Sequence, residues 1–202
     1  MTRRDELLGI AGRLFAQRGF KNTTVRDIAD ASGIQSGSLY HHFESKEEMV
    51  DELLSTFQTG LFATYDDIVG SDLDVRGKVD AVVRASFDAI ERHHDEVAIF
   101  QTDAGYLMQF DRFGYLREHN KRFHEMWTAL LDEGTRSGEL RSDLDPELTY
   151  RFVRDTVWVA VRWYRPGREH TVQEVAEQYL AILFTGIAAP SPTFVRQGAA
   201  GE

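Results

Sequence analysis

Residues 33–43 read GIQSGSLYHHF, a stretch that gains little helical stability from its own composition. Gly33 and Gly37 sit four residues apart, no apolar stripe runs through the segment, and its outward positions offer Gln35, Ser36, Ser38, Tyr40 and His41. A short, glycine-containing helix with polar outer positions is weakly favoured by intrinsic propensity. Neighbours must hold it while its outer face meets something else. On its N-terminal side, Thr24-Val-Arg-Asp27 is a capping-box pattern that opens a short helix over 24–31. On its C-terminal side, Ser45-Lys-Glu-Glu48 is a second such pattern, opening a long helix that reaches about Val69. Upstream, Leu7, Leu8, Ala11, Leu14 and Phe15 form one stripe of a helix from about 4 to 18, which Gly19 stops. Two short helices, 24–31 and 36–42, joined by a tight Ser-Gly turn and backed by a capped long helix, make a helix-turn-helix.

In that arrangement the second short helix enters the major groove of DNA and presents its N-terminal residues to base edges. Gln35, Ser36 and Ser38 can exchange hydrogen bonds with bases or phosphates, and Gly37 allows close backbone approach. Tyr40 and His41 offer donors to phosphates, and Arg26 on the preceding helix is placed for the same role. Thr24 caps its own helix, and its hydroxyl can also reach a phosphate. Leu39 and Phe43 point inward, toward Leu14 and Ile28. The charge distribution agrees. The chain carries −10 overall, yet residues 1–46 hold seven basic and five acidic side chains, leaving 16 basic and 28 acidic ones behind them. A basic head on an acidic body suits a polyanion at one end only.

The remainder is helical in period throughout, with no sustained alternation of period two. All four prolines lie at or beyond 146, and further helices read as 75–93, 95–109, 112–137, 146–164 and 171–187. Asp145-Pro146 is a cap followed by Pro at the first helical position, Arg165-Pro166-Gly167 stops that helix, and Thr171-Val-Gln-Glu174 caps the last. The expected fold is all-α, with about nine helices: a helix-turn-helix head over 1–48, a helical body over 49–189, and a patternless, disordered tail over 190–202. Cysteine is absent, so disulfides and thiolate metal sites are excluded. No signal peptide is legible in MTRRDELLGIAG, and runs such as VWVAV at 157–161 are too short to span a bilayer. A cytoplasmic protein without membrane contact is expected.

The segment TTVRDIADASGIQSGSLYHHFESKEEM, residues 23–49, resembles the DNA-binding head of the TetR family of one-component bacterial repressors. The likeness rests on the Thr, the Ile-Ala pair, the Gly of the turn, Gly-x-Leu-Tyr-x-His-Phe and Ser-Lys-Glu. It implies that Thr24, Tyr40 and Lys46 grip phosphates while Gln35 to Ser38 and His41 face the groove. Gln35 stands where many members place a capping Ser or Thr, which leaves a longer side chain free to read a base. VRDIADASGIQSGSLYHHFESKEEMVDE at 25–52, taken with YRFVRDTVWVAVRWYRPG at 150–167, is further similar to actinobacterial members that repress steroid catabolism and respond to coenzyme A thioesters of steroid fragments.

The last two helices are apolar on more than one face, at 157–164 and 179–184, so each needs a partner beyond the body itself. By resemblance they pair with their copies as a four-helix homodimer interface, and a dimer suits palindromic operator DNA. Within this run Arg162 follows Trp158 by four residues and Arg154 by eight, which puts the three on one helical face. A guanidinium among apolar neighbours needs an anion: either an internal partner such as Asp155, Asp103 or Glu118, or a ligand phosphate with Trp158 stacked beside it. Arg plus Trp suits a nucleotide, as in a coenzyme A thioester effector. Phe62, Tyr65, Phe123 and Trp127 are the expected lining of an apolar cavity between the middle helices. No cofactor, catalytic residue or metal ligand is expected. The rival readings are a helical enzyme, against which HExxH, GxSxG and glycine-rich phosphate loops are all missing, and a DNA-binding architectural protein with no ligand. A repressor released by another hydrophobic ligand, such as a fatty acyl thioester or a drug, is the nearest alternative.

Overall fold

In the computed structural model, residues 2–185 are described; they form nine α-helices and two short 3-10 turns, with no strand among them. The expected tail over 190–202, and the end of the last helix, lie outside the described residues. Helix α1 (Arg3–Arg18) is closed by Gly19, whose φ of 83° is a left-handed conformation that glycine takes without strain. Helices α2 (Val25–Ala31) and α3 (Ser36–Leu39) follow, turned against each other at Gly33, φ 67°. Helix α3 is one turn long where 36–42 was expected; residues 40–42 continue only as turns, with His41 N–H on Ser38 O and Phe43 N–H on Leu39 O. A segment with two glycines and no apolar stripe has nothing to propagate it.

Helix α4 (Lys46–Val69) is 24 residues, about 36 Å at 1.5 Å per residue, and it joins the two cores of the molecule. The first core gathers Leu7, Leu14, Phe15, Ile28, Leu39, Phe43 and the first half of α4, Met49 to Leu54. Ile99 and Leu107 of α6 (His94–Leu107) and Leu116 of α7 (Gly114–Ser137) complete it. The second core takes over at Phe57 and runs through α5 (Val75–Arg92), the rest of α7, α8 (Pro146–Val159) and α9 (Val172–Thr185). Burying each such aromatic or aliphatic side chain contributes about 1.5–3 kcal/mol.

The caps fall where the sequence places them. Ser45 Oγ accepts from Glu48 N–H at 3.1 Å, although the Glu48 carboxylate reaches back to Glu44 N–H and not to Ser45. Asp145 caps α8 through Leu148 N–H at 2.8 Å, and Thr171 and Glu174 exchange reciprocal bonds at the start of α9. One boundary differs with consequence. Helix α8 ends at Val159, and Ala160–Arg162 is a 3-10 turn. The tighter pitch ahead of Pro166 breaks the 3.6-residue register after Val159.

Candidate nucleic-acid interface and ligand cavity

At the head, Thr24 and Asp27 form a reciprocal box: Asp27 N–H donates to Thr24 Oγ1 at 3.1 Å, and Thr24 N–H donates to the Asp27 carboxylate at 2.8 Å. Hydrogen bonds from the Thr24 hydroxyl and N–H, with Arg18 and Arg26 nearby, hold the Asp27 carboxyl below its ordinary value. Arg26 is exposed, with Asp30 one turn away at 3.7 Å. Gln35 begins α3 with no side-chain capping bond, so its amide stays free at the surface. Ser38, Tyr40 and His41 are exposed and Ser36 is half-buried, while Leu39 and Phe43 seat the segment in the first core. A Cβ added at Gly37 would meet nothing within 4 Å: the space there is open.

Lys46 has a structural role that its motif did not reveal. Its ammonium donates to Phe20 O at 2.8 Å and Thr23 O at 2.9 Å, and lies 4.2 Å from the centre of the Phe20 ring. Two of its three N–H donors are thus committed to the loop between α1 and α2. Arg4 clamps the other side, with two bonds of 2.5 and 2.6 Å to Glu52 and its guanidinium over Phe43. On α6, buried Asp103 accepts Phe20 N–H at 3.0 Å, which fastens the body to the same loop.

The body holds an open-sided cavity of about 600 Å³ between α4, α6, α7 and α8. Of the expected lining residues, Phe62, Phe123, Trp158 and Arg154 border it. Tyr65 and Trp127 do not. Both are almost wholly buried behind Phe123, at ring distances of 5.6 and 6.3 Å, and the Tyr65 hydroxyl is bonded to Ser86 Oγ at 2.7 Å. Helical spacing identifies the inward stripe, but not which of its members stand in the second layer.

Arg162 is also displaced from its expected place. It is exposed and does not border the cavity, because the 3-10 turn carries it off the face of Trp158. No internal anion was needed: Asp103, offered as a partner, is bonded to Phe20 N–H. The Arg–Trp pair one turn apart in the cavity wall is Arg154 and Trp158. Arg154 Nε donates to Asp155 at 2.7 Å, its guanidinium leans on Tyr150, and Trp158 meets Phe123 at 6.3 Å.

Several lining residues escaped the sequence reading. Lys121 and Arg151 add positive charge, and Glu147 is held by His124 at 2.5 Å and by Arg151 at 2.7 Å. These bonds keep the Glu147 carboxyl below its ordinary value. His119 Nδ1 lies 2.5 Å from Gln58 Oε1, with Phe62 stacked 4.6 Å away. Burial, and to a lesser extent Arg122, holds the His119 imidazole below its ordinary value. The available signal was Gln58, a polar residue inside the apolar stripe Leu54, Phe57, Leu61, Phe62.

Among the described residues there is no cluster of metal-ligating side chains, and no helix is long and apolar enough to cross a membrane. The chain is 55% identical over 188 residues to the HTH-type transcriptional repressor KstR2 of Rhodococcus jostii, covering 93% of this chain and 92% of that protein. The solved structure of the ketosteroid transcriptional regulator KstR2 of Mycobacterium tuberculosis superposes with a TM-score of 0.89 at 53% identity, covering 94% of this chain and 96% of that one. A second structure, a probable transcriptional regulatory protein RHA5900, gives 0.91 at 55% identity, with 93% and 100% covered. Residues 7–53 match the bacterial regulatory proteins of the tetR family, and residues 72–187 match the tetracyclin repressor-like C-terminal domain. With a helix-turn-helix exposed at one end and a walled cavity at the other, the chain belongs to the tetR family of bacterial regulatory proteins.

Proposed function

We propose that this chain is a homodimeric transcriptional repressor, not an enzyme, that binds palindromic double-stranded operator DNA and is released by a coenzyme A thioester of a steroid-ring fragment. The observation that carries the effector class is the two-sided cavity. Its α4 wall offers Phe57, Leu61 and Phe62, while its α8 wall places Arg154 and Trp158 one turn apart beside Arg151, with Lys121 near by on α7. An apolar acyl group fits among the former, and a nucleotide's phosphates and base suit the latter. The name of the Mycobacterium tuberculosis relative, a ketosteroid regulator at 53% identity, supports an alicyclic acyl part. Dimerisation is supported by apolar side chains left exposed along α8, the turn after it and α9: Leu148, Phe152, Val159, Trp163 and Ile182. Patches of this kind mark protein interfaces.

The test is electrophoretic mobility of an operator fragment, found by selection from random duplexes, at increasing effector. Release is expected with a bicyclic steroid-fragment thioester at concentrations that leave a long-chain acyl thioester and the free acid ineffective. Release by the free acid alone would refute the coenzyme reading and leave the repressor reading standing.

A further inference from the structure

Four polar side chains are buried among the described residues: Thr23, Gln58, Ser86 and Asp103. Three are accounted for by the fold. Thr23 donates to Leu14 O and Gly19 O, Ser86 to Val82 O, and Asp103 accepts from Phe20 N–H. Gln58 is different. It is 4% exposed, it borders the cavity, and its one side-chain bond among the described residues is to His119 Nδ1. Its amide nitrogen has no protein partner there, and the single sealed, unpaired side-chain atom is Trp127 Nε1. The Gln58 nitrogen is therefore not sealed, and the side chain that carries it lines the cavity.

The pair's hydrogen-bonding character does not depend on how its atoms are assigned. If His119 Nδ1–H donates to Gln58 Oε1, the cavity sees Gln58 N–H donors and an accepting His119 Nε2. If the amide is turned over, it donates to Nδ1, and the cavity sees an accepting Oε1 and a donating Nε2–H. Either way the pair leaves one donor and one acceptor without a protein partner, on two lining residues that share the cavity wall with Phe57, Leu61 and Phe62. Burial disfavours the charged imidazole, which favours that pairing. An all-hydrocarbon group filling this wall would strip water from both and pair with neither, at a cost.

We propose that Gln58 and His119 read an oxygen substituent, ketone or hydroxyl, on the alicyclic acyl part of the effector. This rests on the thioester reading of the cavity. A ketone satisfies the donor; a hydroxyl satisfies both groups. The fused rings would thus be recognised by the polar pair on α4 and α7, and the nucleotide by the cations on α7 and α8.

Calorimetry on the full chain with three probes tests this: cyclohexanecarbonyl-, 4-oxocyclohexanecarbonyl- and 4-hydroxycyclohexanecarbonyl-coenzyme A. The parent is expected to prefer an oxygenated probe over the hydrocarbon by roughly five- to tenfold, the worth of about one hydrogen bond. A preference for the hydroxyl over the ketone identifies use of both groups. Gln58→Met and His119→Phe should each bring the ratio near one, by weakening the oxygenated probes and, with the desolvation cost removed, tightening the hydrocarbon one; two variants guard against one that fails to fold. Equal affinity of the parent for all three probes, or variants that weaken all three by one factor, overturns the assignment and leaves the thioester reading intact. If no thioester binds the parent, both fall together.

Discussion

Tyr40, 56% exposed beside Ser38 and Gln35, is placed to test whether phosphate contact and base reading are divided on this face. A phosphate contact carries no base information, so Tyr40→Phe is expected to weaken binding to operator and non-operator duplexes by similar factors. Substitutions at Gln35 or Ser38 should reorder preference among operators; fluorescence anisotropy over a panel of duplexes separates the two patterns. Lys46 makes a different prediction because its ammonium holds two carbonyls of the α1–α2 loop. Lys46→Met should destabilise the chain by about 1–2 kcal/mol, seen as a lower denaturant midpoint without DNA; an unchanged midpoint would confine Lys46 to phosphate contact. His119 sets a pH dependence. Its folded value lies below the ordinary 6.5, so the folded state disfavours its protonation. The stability from its neutral form is complete above 6.5 and is lost as pH falls below that through the folded value. A melting series from pH 7.5 to 5 should therefore fall more steeply for the parent than for His119→Asn.

Among the elements, the head was legible because its signals are local: Thr24 with Asp27, the glycine at 33, Ser45 ahead of α4. Each states its own backbone conformation within four residues. The end of α8 was not, since whether a helix continues past Val159 is decided by packing and by the approach to Pro166, not by the apolar run VWVAV. That single boundary moved Arg162 out of the cavity and left Arg154 as the partner of Trp158. Tyr65 and Trp127 failed for a related reason: periodicity orders side chains by direction, not by depth. The same gap decides how the interface must be tested. Leu180 is 4% exposed within one chain, so Leu180→Asp would unfold the second core and say nothing of assembly. Phe152 is 71% exposed; Phe152→Glu should keep the melting temperature within a few degrees while sedimentation reports a monomer that no longer holds operator. A Phe152→Glu chain that sediments as a dimer would move the interface off this face.

At the scale of the whole molecule, one helix touches everything that must communicate. Helix α6 gives Val97, Phe100 and Gln101 to the cavity wall, Ile99 to the first core and Asp103 to the Phe20 N–H. A ligand that favours one position of α6 favours one placement of the Phe20 loop, and through Lys46 one placement of the head on α4. Such a ligand shifts DNA affinity only by its own preference between the two placements, typically about 1–3 kcal/mol. That preference must be supplied inside the cavity, so the residues that carry it are those on its wall. Arg154→Met and Trp158→Leu should each leave operator affinity within about threefold of the parent, since neither touches the head. Each should raise the thioester concentration needed for release by roughly tenfold or more, as losing a charge-assisted or stacking contact implies. Arg162→Met, outside the cavity on the 3-10 turn, should leave the release curve where it was. The three curves, measured by anisotropy on one operator, decide the matter: a response lost with Arg162 and kept without Arg154 would place the anion site at the end of α8, beyond the cavity, and α6 would lose its claim as the route.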